Sequence, residues 1–286
     1  MARLEVYQSL WAMERRVPGE PEPSLAAMID AIADAGFAGV CLDLAIEDIP
    51  LAHAARPLLA ARGLKTLFNG FPRDDDQLRT MLALAREHGA PCLSVIGQVM
   101  PRRVAAMIDL ARHWIAIAAA EGLPILFETH RHGLLNDLYP TLDLLDAIPG
   151  LRLCADLSHF VVDREFALPL DPEAEAMMTR VLERSWSFQG RVASNEQVQV
   201  QLGFPRHAAW EAQFVRWWEQ GLRSWRARAP AGEPATFLCE LGPPPYAITG
   251  ADGLELSDRW QEALTIKRRV EAIWARLEAE GSGSRP

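Results

Sequence analysis

Cysteine is scarce in this 286-residue chain, with only four in all, and long runs of one charge or of apolar residues are missing. Cys41, Cys92, Cys154 and Cys239 each fall in an apolar, strand-like stretch, not in the loops where secreted domains place their cross-links. They read as buried free thiols of a reducing compartment. Separations of about 50 to 85 residues also exclude a sequence-local zinc motif. The longest basic run, Lys267-Arg268-Arg269, is three residues, and the formal charge is -9, which argues against a polyanion-binding face. No stretch approaches the roughly 20 apolar residues of a membrane span, and Met1-Ala2-Arg3-Leu4-Glu5-Val6-Tyr7 lacks the apolar core of a signal peptide. The expectation is a soluble cytoplasmic protein with neither nucleic acid nor membrane as partner. Nor is there a glycine-rich phosphate turn after the first strand, where Gln8-Ser9-Leu10-Trp11 stands instead, and this disfavours a doubly wound dinucleotide fold.

What is present is a rhythm. The composition, 49% hydrophobic and 23% charged, suits a folded domain with a sizeable core. Ser24 can cap a helix whose apolar positions Leu25, Met28, Ile29 and Ile32 recur at helical spacing until Gly36, and a continuous apolar strand follows over 38–44. The same unit returns as helices over 50–61, 74–88 and 101–121, stopped by Gly63, Gly89 and Gly122, with strands at 65–69, 92–96 and 124–128. Pro101 is taken as a first-turn proline. Further helices over 138–147, 172–183, 206–227 and 257–279 alternate with strands at 151–156, 186–189 and 235–240. With the strand at 4–9 the total is eight. Strict alternation implies parallel strands with right-handed crossovers, and eight units predict a single (β/α)8 TIM barrel over residues 1–280. Residues 281–286, a Gly-Ser tail, are expected to be disordered. Trp210, Phe214, Trp217 and Trp218 form a helical stripe and read as core.

Active sites of such barrels lie where the strands end, and four late strands end in polar groups. Glu128-Thr129-His130, Ala155-Asp156-Leu157-Ser158-His159, Gln189-Gly190-Arg191 and Glu240-Leu241-Gly242 each follow an apolar run. Period-two geometry pairs Glu128 with His130, Cys154 with Asp156, and Gln189 with Arg191 on one face, and turns Cys239 away from Glu240. Facing inward, Glu128, Asp156, Gln189 and Glu240 supply three carboxylates and an amide. Crowded carboxylates raise one another's pKa unless a cation neutralises them, and an all-oxygen set suits Mg²⁺ or Mn²⁺.

These stretches, with Arg191-Val192, Gln199-Val200, Tyr246, Trp11-Ala12-Met13 and Ala35-Gly36-Phe37, resemble the xylose isomerase-like barrel superfamily of sugar phosphate isomerases and epimerases over nearly the whole chain. The resemblance implies one divalent metal held at Glu128, Asp156, Gln189 and Glu240. At Gln189 the chain departs from the pattern, which has histidine there. Three consequences stay open: a weaker metal site, replacement of the donor by a neighbour such as His159, or loss of the metal. The resemblance also implies a substrate-hydroxyl contact at His159 and a candidate base at His130, which otherwise only steadies a ligand. Gln8, Asn69 and Gln98 end early strands and either bind sugar hydroxyls or satisfy the rim; Arg191 either holds a substrate oxygen or balances the carboxylates.

The expected function is a metal-dependent sugar isomerase or epimerase, in which Glu128 or Glu240 removes a proton beside the carbonyl of an uncharged ketose or keto-sugar. The alternatives are a lyase or hydratase acting on a 3-keto-glycoside or inosose with His130 as base, and a metal-free sugar-binding relative. A DNA endonuclease of the same barrel group needs a zinc cluster rich in histidine and a basic surface; seven histidines and a charge of -9 speak against it. The partner is a small carbohydrate, and a homo-oligomer is left open.

Overall fold

A computed structural model describes residues 3–15 and 21–282. Its strands are β1 (Arg3–Ser9), β2 (Gly39–Leu44), β3 (Lys65–Gly70), β4 (Leu93–Val95), β5 (Ile125–Glu128), β6 (Leu153–Ala155), β7 (Ser185–Gly190) and β8 (Pro234–Cys239). All pair in parallel in sequence order, and β8 returns to β1 over six residue pairs from Arg3 and Pro234 to Gln8 and Cys239, closing the barrel. Outside lie α1 (Leu25–Asp34), α2 (Ile49–Ala61), α3 (Asp75–Glu87), α4 (Val104–Glu121), α5 (Leu138–Ala147), α6 (Leu157–Asp163), α7 (Pro172–Leu182), α8 (Ala208–Arg228) and α9 (Arg259–Ser282). No helix among the described residues is long and apolar enough to cross a membrane.

Alternation sorts the strand residues into two cores. Outward residues such as Val6, Val40, Phe68 and Phe237 join the helices in one large apolar cluster. Inward, Tyr7, Cys41, Leu67 and Leu238 fill the middle of the barrel. Tyr7 fits because Gly39 has no side chain: a Cβ there would lie 2.6 Å from the tyrosine ring and 2.3 Å from the Lys65 carbonyl. At the N-terminal end of the barrel, buried Glu5 accepts the Tyr7 hydroxyl at 2.8 Å and pairs with Arg3 and Lys65. The middle layer is therefore a plug, and the polar layer above it is a floor. The aromatic stripe is core as its spacing predicts: Trp218 meets Phe237 edge-on at 5.4 Å, and Trp225 packs on Trp274 at 6.0 Å.

Four local expectations change. α4 starts at Val104, so Pro101 precedes the helix; the residues before it form rim backbone, with the Gln98 N–H donating to the Pro72 carbonyl at 3.0 Å. Cys92 lies just ahead of β4 and is half-buried, while the other three thiols are buried. An extra helix, α6, begins directly after Asp156, whose side chain caps it by accepting the Ser158 N–H at 3.0 Å. Finally, α9 continues to Ser282, two residues into the expected tail, and residues 283–286 lie outside the described residues.

Candidate active site

Glu128 ends β5, while Asp156 and Glu240 directly follow β6 and β8. One oxygen from each lies within 4.8 Å of the others, and all three residues are buried. Glu128 accepts the Gln189 amide Nε2 at 2.7 Å and the Ser94 hydroxyl at 3.3 Å. Asp156 Oδ1 accepts both the backbone N–H and the hydroxyl of Ser158, at 3.0 and 2.5 Å. Arg191 reaches across: its Nη2 donates to Glu240 at 2.8 Å, and its Nε lies 3.3 Å from Asp156 Oδ2. A fourth carboxylate, Asp43 on β2, accepts Asn69 Nδ2 at 3.1 Å, and the same nitrogen lies 3.3 Å from Glu240.

One guanidinium thus faces four carboxylates, and the acid strengths respond. Burial, and then the charges of Glu240, Asp156 and Asp43, holds Glu128 well above the usual carboxylate range. Burial lifts Glu240 to about 8 against the pull of Arg191, with Asp43 and Asp156 adding to the rise. Burial likewise brings Asp43 to about 6, opposed by its Asn69 hydrogen bond and by Arg191. Two buried acceptors, Asp156 Oδ2 and Gln189 Oε1, have no hydrogen-bond partner. Surplus negative charge and orphaned oxygens on one set of residues fit a hard divalent cation held by Glu128, Asp156, Gln189 and Glu240.

Above this floor opens a cavity of about 250 Å³. Asp43, Glu128, Arg191 and Glu240 give it a charged base, and Trp11, Phe71, Ile96 and Tyr246 an apolar wall. Tyr246 meets Trp11 edge-on at 5.2 Å and lies 4.9 Å from the Arg191 guanidinium. A charged base under aromatic walls suits a small polyhydroxylated molecule, whose ring faces are apolar and edges polar.

The histidines divide. His130 lines the cavity, and its Nδ1 accepts the His132 backbone N–H at 3.1 Å. In the neutral ring the proton is then on Nε2, which makes that atom a donor. Burial, and next the neighbouring His159, pushes the His130 pKa down to about 3, so the ring is neutral at ordinary pH. His159 is fully buried behind it, with ring centroids 4.1 Å apart and Nε2 3.5 Å from Asp156 Oδ2, and does not line the cavity. His132 is exposed at the cavity mouth.

Of the early strand ends, Asn69 is buried and joins Asp43 to Glu240, and Gln98 lines the cavity while accepting Arg73 at 3.0 Å. Gln8 does not line it. In the β1–β8 ladder Gln8 is level with Cys239, whose thiol reaches the Ala263 carbonyl of α9, so both point to the helices, while Tyr7 takes the inward place. Sequence reasoning passed over Asp43. The signal was there: it is the one charge in the run Val40-Cys41-Leu42-Asp43-Leu44, on the same face as Cys41.

No protein-family model matches the chain, and no curated protein matches it in sequence. Solved structures do. A D-allulose 3-epimerase from Methylomonas sp. superposes with a TM-score of 0.62 at 15% identity, covering 97% of this chain and 100% of that one. A xylose isomerase-like TIM barrel protein from Mycobacterium smegmatis in complex with magnesium gives 0.59 at 13%, over 96% and 99%. This chain has the (β/α)8 barrel fold of these proteins. A probable 3-DHS dehydratase from Bacillus anthracis superposes with a TM-score of 0.54 at 13% identity over 83% of this chain and 92% of that one.

Proposed function

We propose that this xylose isomerase-like barrel is a divalent-metal-dependent sugar epimerase or isomerase that moves a proton beside the carbonyl of an uncharged ketose. The observation that carries the reading is the triad of buried carboxylates, with oxygens within 4.8 Å of one another, beneath a small aromatic-walled cavity. Glu128, Asp156, Gln189 and Glu240 would hold Mn²⁺ or Mg²⁺, which when bound polarises a carbonyl and balances charge developing on its oxygen. Glu128 and Glu240 stand three strands apart in a ring of eight, on different sides of the cavity. One can take a proton from one face of a carbon while the other returns a proton to the opposite face, which is what epimerisation requires. Each glutamate can do this by facing the ion through one oxygen and keeping the other for the proton. His130, with Nδ1 already engaged, presents Nε2–H to a substrate oxygen, so it donates where the glutamates accept. Arg191 orients Asp156 and Glu240.

A dehydratase of the same fold is the second reading, favoured by the His130 Nε2–H, which can hydrogen-bond a departing hydroxyl while a protonated glutamate supplies its proton. A metal-free sugar-binding protein is the third, favoured by Arg191 as an internal cation paired with both Asp156 and Glu240. The test combines elemental analysis and Mn²⁺ titration of the purified protein with incorporation of solvent deuterium into D-allulose and L-ribulose. The expected result is Mn²⁺-dependent exchange in the wild type and its loss, with loss of the Mn²⁺-induced rise in Tm, in Glu240→Gln. Loss of water from the sugar would select the dehydratase, and sugar binding without metal or exchange would select the binding protein.

A further inference from the structure

Asp156 and Ser158 are both fully buried, and two hydrogen bonds tie them together. Asp156 Oδ1 accepts the Ser158 backbone N–H at 3.0 Å and the Ser158 hydroxyl at 2.5 Å. The N–H bond caps α6, and the cap is complete without the hydroxyl, because the orphan donor at a helix start is the backbone N–H. A short contact from a hydroxyl to a carboxylate is of the strong, charge-assisted kind. It steadies the plane of the carboxylate and commits Oδ1 to the protein. Oδ2 is the oxygen left buried without a hydrogen-bond partner, with Arg191 Nε 3.3 Å away. One oxygen of Asp156 is thus engaged and the other is open.

That division bears on which ion the site prefers. A carboxylate binding through both oxygens has a narrow bite, which suits a large ion ringed by about six to eight oxygens at roughly 2.4 Å, as Ca²⁺ is. Mg²⁺ demands an octahedron at about 2.1 Å, and Mn²⁺ shares its taste for carboxylate and carbonyl oxygens; such a site takes one oxygen from each carboxylate. With Oδ1 held by Ser158, Asp156 has Oδ2 alone to give. Ser158 does not line the cavity, so its effect on the site passes through Asp156.

We propose that Ser158 is a positioning residue that sets the metal preference of the site: its hydroxyl keeps Asp156 a one-oxygen ligand and so favours Mn²⁺ or Mg²⁺ over Ca²⁺. The proposal rests on the metal-dependent reading of the same carboxylates. Groups that hold a metal ligand in place are commonly worth about tenfold or more in metal affinity.

Calorimetric titration of the metal-free protein with Mn²⁺ and with Ca²⁺ tests it, beside thermal unfolding without metal. Ser158→Ala removes the hydroxyl and keeps the backbone N–H. It is expected to bind Mn²⁺ about tenfold more weakly and Ca²⁺ no more weakly than the wild type, so that the ratio of the two affinities falls about tenfold. Ser158→Thr, which keeps a hydroxyl, is expected to hold the ratio near its wild-type value. Ser158→Gly serves the same measurements if the alanine variant does not fold. A lower Tm in Ser158→Ala with an unchanged ratio would mean that the hydroxyl only steadies α6, which overturns the proposal. A threonine variant that folds and loses the ratio as alanine does overturns it as well. A wild type that binds neither ion overturns the metal-dependent reading and this proposal with it, whereas tight Mn²⁺ binding by the wild type and the same ratio in the alanine variant overturn the proposal alone.

Discussion

Gln189 stands where the resemblance implies an imidazole, and its two amide atoms fare differently: Nε2 donates to Glu128 at 2.7 Å, while Oε1 is buried without a partner. An amide oxygen is a weaker donor to a divalent ion than an imidazole nitrogen. Gln189→His should therefore tighten Mn²⁺ binding about tenfold, roughly 1.4 kcal/mol, at a site that already offers three carboxylates. Calorimetric Mn²⁺ titration of the variant checks this, and unchanged or weaker affinity would mean that Gln189 does not face the ion. That Gln189 and Arg191 share one face was legible from their spacing alone. The direction of Gln8 was not, because β1 offers two alternating sets and only the fit of Tyr7 beside Gly39 decides which set enters the barrel.

Among the elements, the cavity wall depends on contacts between loops. Arg259, the first residue of α9, is buried and reaches back to the segment after β1. Its Nη1 donates to the Ala12 carbonyl at 2.7 Å and its Nη2 to those of Glu14 and Arg15 at 2.7 and 3.2 Å, while Glu255 accepts its Nε. That grip sets Trp11 over Gly242, where a Cβ would come 2.3 Å from the indole. Gln199, from the loop after β7, clasps Gly242 from the other side, accepting its N–H at 2.8 Å and donating to its carbonyl at 2.9 Å. Three loops thus form one wall. Arg259→Ala leaves three carbonyls and the Glu255 carboxylate without their cation and should cost about 3 kcal/mol. Denaturant unfolding should show that loss, and KM for the ketose should rise severalfold; full stability with unaltered KM would show that the grip does not shape the wall. Lysine is expected to restore little, since one ammonium cannot span the same carbonyls.

For the whole molecule, the buried acids couple folding to pH. Asp43 at about 6, Glu240 at about 8 and Glu128, also raised, hold protons in the folded state at pH values where the unfolded chain has released them. Their contribution to stability is fully present below the ordinary carboxylate pKa and is lost as pH rises through the folded values. The Tm of the metal-free protein should accordingly fall between roughly pH 5 and pH 9, less steeply in Glu240→Gln and least with saturating Mn²⁺. A flat profile without metal would contradict the charge surplus at the site. The sequence by itself determined the eight-fold alternation of strand and helix, the inward set at each late strand end and the gathering of Glu128, Asp156 and Glu240, since these follow from periods of 2 and 3.6 and from the parallel order they impose. Closure of the barrel decided the rest. It set Asn69 between Asp43 and Glu240, put His159 behind His130, and brought Arg259 to Ala12 across 247 positions of chain. Such contacts join residues remote in sequence through the packing of a closed ring, and no local period encodes them.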